Sequence, residues 1–163
     1  MMKYAGIGAR KTPVEVQIVM SNIATWLSNK GYTLRSGGAI GADTAFEKGA
    51  NSNKEIFYAH HATDAAMAVA MTYHSHWSSC SDYAKKLHAR NAFQILGDPL
   101  YLDPVDFVIC WTPDGCERHE DRTRETGGTG TAISIASMND IRVYNLYNES
   151  SINELREFFK TIK

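Results

Sequence analysis

The sequence predicts an α/β fold, a Rossmann-like three-layer sandwich around a mainly parallel sheet. Three observations carry that expectation. Short apolar runs alternate with helix-like segments along the whole chain, which is the pattern of right-handed strand–helix–strand crossovers. Gly-rich turns follow the predicted strands and open the next helices. The run Pro104 to Trp111, PVDFVICW, is apolar almost without break, as a strand covered on both faces should be. The 163 residues fit one domain, residues 1–163, large enough for a core without staples.

The elements follow in order. Met2 to Ile7 reads as a first buried strand ending in the turn Gly6-Ile7-Gly8. Thr12 is expected as N-cap and Pro13 as the first position of a helix. Val14, Ile18, Ile23, Trp26 and Leu27 keep helical spacing, and Gly31 ends that helix. Tyr32 to Arg35 is a second strand, followed by the glycine turn and a helix over Ala42 to Ala50. Glu55 to Ala59 reads as a third strand. Thr63 to Leu96 has helical composition in two pieces, with a break near Trp77 to Ser81. After the strand at Pro104–Trp111, the polar stretch Thr112 to Thr126 reads as a loop. Thr131 to Met138 is a helix, Ile141 to Leu146 a strand, and Ser151 to Ile162 a closing amphipathic helix with Asn153, Glu154, Glu157 and Lys160 on its polar side.

Composition limits the function classes. Seventeen basic residues against eighteen acidic give a net charge of -1, which disfavours a nucleic-acid partner held by a general electrostatic grip. Cys80, Cys110 and Cys116 are odd in number and irregular in spacing, so a reducing cytoplasm fits better than a disulfide framework. The start, MMKYAGIGAR, has no apolar signal-peptide core, and no stretch is long and apolar enough to cross a membrane. His74, His76 and Cys80 lie close in sequence, as do Cys116 and His119, but no Cys-x-x-Cys pair occurs. They read as scattered ordinary residues, so no metal and no cofactor is expected.

The glycine turns carry the functional expectation. They are Gly6-Ile7-Gly8-Ala9-Arg10, Ser36-Gly37-Gly38-Ala39-Ile40-Gly41 and Gly127-Gly128-Thr129-Gly130-Thr131. Each precedes a helix, whose first N–H groups and partial positive charge suit a phosphate. Glycine removes the Cβ that would keep a phosphate from the backbone. No Gly-Lys-Ser/Thr follows any of them, and Gly6-Ile7-Gly8 lacks the third glycine of G-x-G-x-x-G, with Lys11 in its place. Neither a P-loop NTPase nor an NAD-dependent dehydrogenase is supported.

Taken in order, Tyr4-Ala5-Gly6-Ile7-Gly8-Ala9-Arg10 with Thr12-Pro13, Ser36-Gly37-Gly38-Ala39-x-Gly41-Ala42-Asp43, and Gly127-Gly128-Thr129-Gly130-Thr131-Ala132 resemble the SLOG superfamily of Rossmann-like nucleotide-binding domains. Its relatives include the DNA-processing protein DprA and the LOG phosphoribohydrolases. The second motif is similar to DprA's Ser-Gly-Gly-Ala-x-Gly-x-Asp, and His88-Ala89-Arg90-Asn91 resembles its Arg-Asn element. The resemblance implies a nucleotide ligand, a homo-oligomer, and a small stand-alone member of the kind common in phage genomes. LOG enzymes carry a glutamate in and just after Gly-Gly-x-Gly-Thr. The aligned positions here are Ile133 and Ser134, neither of them a carboxylate.

The expected ligand-binding residues are Gly8, Arg10, Ser36, Gly37, Gly38, Gly41, Asp43, Arg90, Asn91, Trp111, Gly127, Gly128, Thr129, Gly130 and Thr131. Arg10 is placed to clamp a phosphate with two parallel hydrogen bonds. Ser36 has a hydroxyl to donate. Trp111 ends the central strand, where strands of this fold meet the crevice. Asp43 and Glu47, four apart on one helical face, are the candidate catalytic pair, if burial raises one pKa. Asp43 also suits the N-terminal dipole of its own helix. His60-His61 follow a strand end and read either as ligand contacts or as a polar loop. Within Asp114–Gly128, Arg118, Arg122 or Arg124 would reach the ligand if this loop closes as a lid. The expected activity is binding of a nucleotide or nucleotide-derived ligand. A nucleoside-monophosphate N-glycosidase and a DprA-like module for single-stranded DNA are the alternatives.

Overall fold

The computed structural model describes residues 2–163. Five parallel strands form one sheet in the order β3-β2-β1-β4-β5. They are β1 (Lys3–Gly6), β2 (Thr33–Ser36), β3 (Lys54–Ile56), β4 (Phe107–Cys110) and β5 (Arg142–Asn145). The helices are α1 (Val14–Asn29), α2 (Ala42–Ala50), α3 (Asp64–Tyr73), α4 (Asp82–Leu96), α5 (Thr129–Met138) and α6 (Glu149–Lys160). The register runs Tyr4 beside Leu34 on one side and beside Phe107 on the other, so β1 lies at the centre.

Alternation along the strands builds two cores. Tyr4, Phe107, Ile109 and Trp111 face the layer of α1, α2 and α6, while Ala5, Ile7, Val108 and Cys110 face α3, α4 and α5. Phe107 is the hub of the first core, with its ring stacked on Tyr4 at 5.8 Å and edge-on to Phe158 at 5.1 Å. The chain leaves β1 towards β2 and returns from β3, through α3 and α4, to β4 on the other side of β1. That reversal opens a crevice above the carboxyl ends of β1 and β4.

Several local expectations are corrected. Pro13, not Thr12, caps α1, and Thr12 instead turns its hydroxyl to the Ala9 carbonyl at 2.6 Å. Val14 and Ile18 stay exposed, because α1 turns Met20, Ala24 and Leu27 into the core instead. The third strand covers only Lys54–Ile56, and Ala59–His61 forms a 3-10 turn instead of its end. The loop expected after β4 is present and ordered, carrying two 3-10 turns, His119–Asp121 and Arg124–Thr126. Among the described residues no helix is long and apolar enough to cross a membrane.

Candidate functional site

The crevice holds a cleft of about 670 Å³, within the range of roughly 300–1,000 Å³ typical of small-molecule sites. Its walls come from distant parts of the chain. The turn after β1 supplies Ile7 to Lys11, α2 supplies Asp43, and α4 supplies Ala84, Leu87, His88, Arg90, Asn91 and Gln94. The stretch before α5 supplies Arg124 to Thr129. Positions 84, 87, 88, 91 and 94 share one helical face, which is why a single helix forms a whole wall.

Charge converges here. Arg10, Lys11 and Arg124 are exposed on the rim, and Arg90 reaches in from α4. Arg90 donates from Nη1 to the Gly37 carbonyl at 2.7 Å, while its Nε is buried with no acceptor among the described residues. Burial of this guanidinium lowers its pKa, against the opposing pull of Asp43. Facing it, Asp43 is 5 % exposed and accepts the Ala39 N–H at 3.2 Å. Desolvation pushes the Asp43 carboxyl up to about 6, although the Ala39 N–H and Arg90 pull it down. Asp43 and Glu125 are the acidic residues lining the cleft. His88 is driven down to about 4 by burial and by the neighbouring His74, Arg122 and Arg90, so its ring is neutral at physiological pH.

The turn before α5 is the open one. Gly127 and Gly128 are exposed, and a Cβ at Gly128 would meet nothing nearer than His88 Cε1 at 3.9 Å. Among the described residues no acceptor faces the N–H of Gly128 or Thr129, as expected in the first turn of a helix.

The other glycine turns serve the fold itself. A Cβ on Gly41 would lie 2.5 Å from the Arg10 carbonyl oxygen, so the second turn packs under the first. A Cβ on Gly37 would fall 2.6 Å from Gln94 Nε2, and one on Gly38 2.9 Å from the Tyr58 ring. Gly8 borders the cleft while its own Cβ position is filled by Ala42 and Trp111. Close approach is therefore the role of these glycines, but the approaching atoms belong to the protein.

The structure brings together Gly8, Arg10, Asp43, Arg90, Asn91, Gly127, Gly128 and Thr129 of the residues expected from sequence. It places the others elsewhere. Ser36 is fully buried and donates its hydroxyl to the Gly6 carbonyl at 2.6 Å, locking β2 to β1. Trp111 faces the opposite core and packs near Tyr147. Glu47 lies outside the cleft in an ion pair with Lys54 at 2.8 Å, so it forms no catalytic pair with Asp43. Gly130 packs against Arg122, and the Thr131 hydroxyl sits 3.1 Å from His88 Nδ1. His61 accepts the Tyr58 N–H, and neither it nor His60 lines the cleft.

The loop after β4 is pinned, not an open lid. Asp114 accepts from the hydroxyls of Thr112, Thr123 and Thr126 and from the Cys116 N–H. Burial opposes its charge, yet these hydrogen bonds hold its pKa below the ordinary carboxylate value. Arg118 pairs with Glu120, and Arg122 turns inward to the Tyr73 carbonyl and Ser134. Of the arginines in this loop, Arg124 lines the cleft. Lys11, His88 and Gln94 were not expected as walls. The spacing of His88, Asn91 and Leu87 on one helix was the available signal for His88.

Fold and site together define a Rossmann-like α/β domain with a cationic crevice at its topological switch point. No protein-family model and no curated protein matches the chain. Among solved structures, it is similar to DNA processing protein A from Helicobacter pylori, a structure described for that protein's single-stranded DNA binding mode. The TM-score is 0.56 at 17% identity, over 96% of this chain and 72% of that one. At that identity the likeness is one of fold.

Proposed function

We propose that this domain binds a nucleotide or nucleotide-derived ligand in the cleft, phosphate towards the first turn of α5. The observation that carries the reading is that Arg10, Lys11, Arg90 and Arg124 line the same cleft as the unpaired N–H groups of Gly128 and Thr129. Unpaired helix N-terminal donors beside guanidinium groups match the three-oxygen geometry of a phosphate. Asp43, which α2 supplies to the cleft, is the group to accept a sugar or base hydrogen bond. The apolar parts of Ile7, Ala84 and Leu87 offer a surface for a base.

Binding of single-stranded DNA is the second reading, favoured by the fold likeness to a DNA processing protein A. An N-glycosidase has less support. Ile133 and Ser134 are both buried, and Ser134 is occupied by Arg122 and His119. Such a reaction would have to run on Asp43 or Glu125, the carboxylates that line the cleft.

A thermal-shift panel of nucleosides, nucleotides and short oligodeoxynucleotides, followed by chromatography of each mixture, tests these readings. Nucleotides that raise the melting temperature and are recovered intact support a binding domain. Free base in the mixture would replace it with a glycosidase. Stabilisation by oligonucleotides alone would move the reading to DNA.

A further inference from the structure

Beside the cleft, one side-chain cluster gathers ligand-capable atoms that the phosphate reading does not use. His74 ends α3, Cys80 precedes α4 and His88 lies on α4; their ligand-capable atoms all fall within 4.8 Å of one another. For three atoms so spaced, one point lies within about 2.8 Å of all of them, against zinc bonds of about 2.0–2.3 Å to His and Cys. Closing that gap needs side-chain shifts of about half an ångström, within the reach of χ rotation at three half-buried residues.

We propose that His74, Cys80 and His88 bind one divalent transition-metal ion of the zinc class. Imidazole and thiolate are the donor set such ions select over calcium or magnesium. The Cys80 Sγ already lies 3.7 Å from His74 Nε2, and the two imidazole rings meet edge to face at 4.4 Å. His88 Nδ1 is held by the Thr131 hydroxyl at 3.1 Å, which leaves Nε2 to ligate and gives the ring the outer hydrogen bond that metal-bound histidines ordinarily have.

The proton balance is explicit. His74 Nδ1 accepts the His76 N–H at 3.1 Å, so the neutral ring carries its proton on Nε2, pointing at Cys80. On binding, that proton moves to Nδ1, the bond from His76 is given up, and Cys80 releases its thiol proton to solvent. One proton leaves per ion bound. Arg122, bonded to the carbonyl of Tyr73 next to His74, opposes added positive charge, and the new thiolate offsets it.

Three protein ligands leave one place in a tetrahedron. His88 is also a wall of the large cleft, so the proposal leaves that place to water or to a phosphate oxygen of a cleft ligand, which the phosphate arm of the test below distinguishes. The metal site itself does not depend on the nucleotide reading.

The test is titration of the chelator-treated, reduced protein with Co²⁺, followed by visible absorption. Expected are one equivalent bound, the intense bands of tetrahedral cobalt, and a thiolate charge-transfer band. Cys80→Ser should remove that band and weaken binding more than about 100-fold, beyond the 10–100-fold of outer-shell changes. His88→Gln should weaken it similarly, with circular dichroism confirming the fold. Cys116→Ser should leave both unchanged. Absence of cobalt binding by the folded wild type, or an unaltered spectrum in Cys80→Ser, would overturn the site. Inorganic phosphate should shift the cobalt bands; an unchanged spectrum would close the fourth position to the cleft.

Discussion

Arg10 and Gly128 separate ligand binding from folding at the level of single side chains. Arg10 makes no ion pair among the described residues and is exposed, so Arg10→Ala should leave stability alone. It should weaken nucleoside monophosphates about 10- to 100-fold and the matching nucleosides hardly at all, measured by calorimetry, because a charged hydrogen bond contributes about 1.5–3 kcal/mol. Gly128, at φ -62 with open space at its Cβ position, should accept valine without unfolding and lose phosphate-bearing ligands. Gly41→Ala is the contrast. At φ +88 and 2.5 Å from a carbonyl oxygen, it should cost about 2 kcal/mol or more in denaturant unfolding. Asp43 gives a pH signature. Its folded pKa of about 6 lies above the ordinary 3.8, so the folded state holds the proton more tightly than the unfolded chain. Its contribution to stability is unopposed below pH 4 and declines as pH rises from about 4 to 6, by ~3 kcal/mol in all. Asp43→Asn should flatten that part of the stability–pH curve, whereas an unchanged slope would assign it to other groups.

Among the elements, the loop after β4 departs furthest from expectation. Its charge pattern admits either a closing lid or a solvated loop, because hydropathy registers Asp114 as polar and cannot register four converging donors. Asp114→Ala leaves those donors without their acceptor. It should destabilise the protein by about 2–4 kcal/mol and speed amide exchange over residues 112–126, read by mass spectrometry. Amide protection equal to wild type would show that Thr112 and Asn145 hold the loop by themselves. By contrast, α2 begins and ends where the sequence placed it, since Gly41 opens it and Phe46 with Ala45 and Ala50 marks its buried face. Strand ends were legible only to within a few residues. A parallel strand stops where its neighbour's hydrogen bonds stop, and that partner is remote in sequence.

At the scale of the whole molecule, a net charge of -1 coexists with a cluster of cations around one crevice. Binding of a nucleotide there should show a weak salt dependence, with a log–log slope of magnitude about 2 or less. A markedly steeper slope with oligodeoxynucleotides, measured by fluorescence anisotropy, would favour the DNA reading. The sequence by itself determined the layer architecture, because period-two and period-3.6 apolar patterns and glycine turns act over a few neighbouring residues. It also determined that Arg10, Asp43 and Gly128 lie near strand ends or helix starts, and that Arg90 lies on a helix. Only the tertiary structure decided which of them share a cleft. The crossing from β3 to β4 lays α4 over the switch point, which makes His88 and Gln94 walls, while Trp111 turns into the opposite core and Glu47 pairs with Lys54 outside the cleft. That choice rests on side-chain direction within a packed sandwich: one step along β4 moves a residue from one core to the other, and no local pattern records which face will meet the crevice.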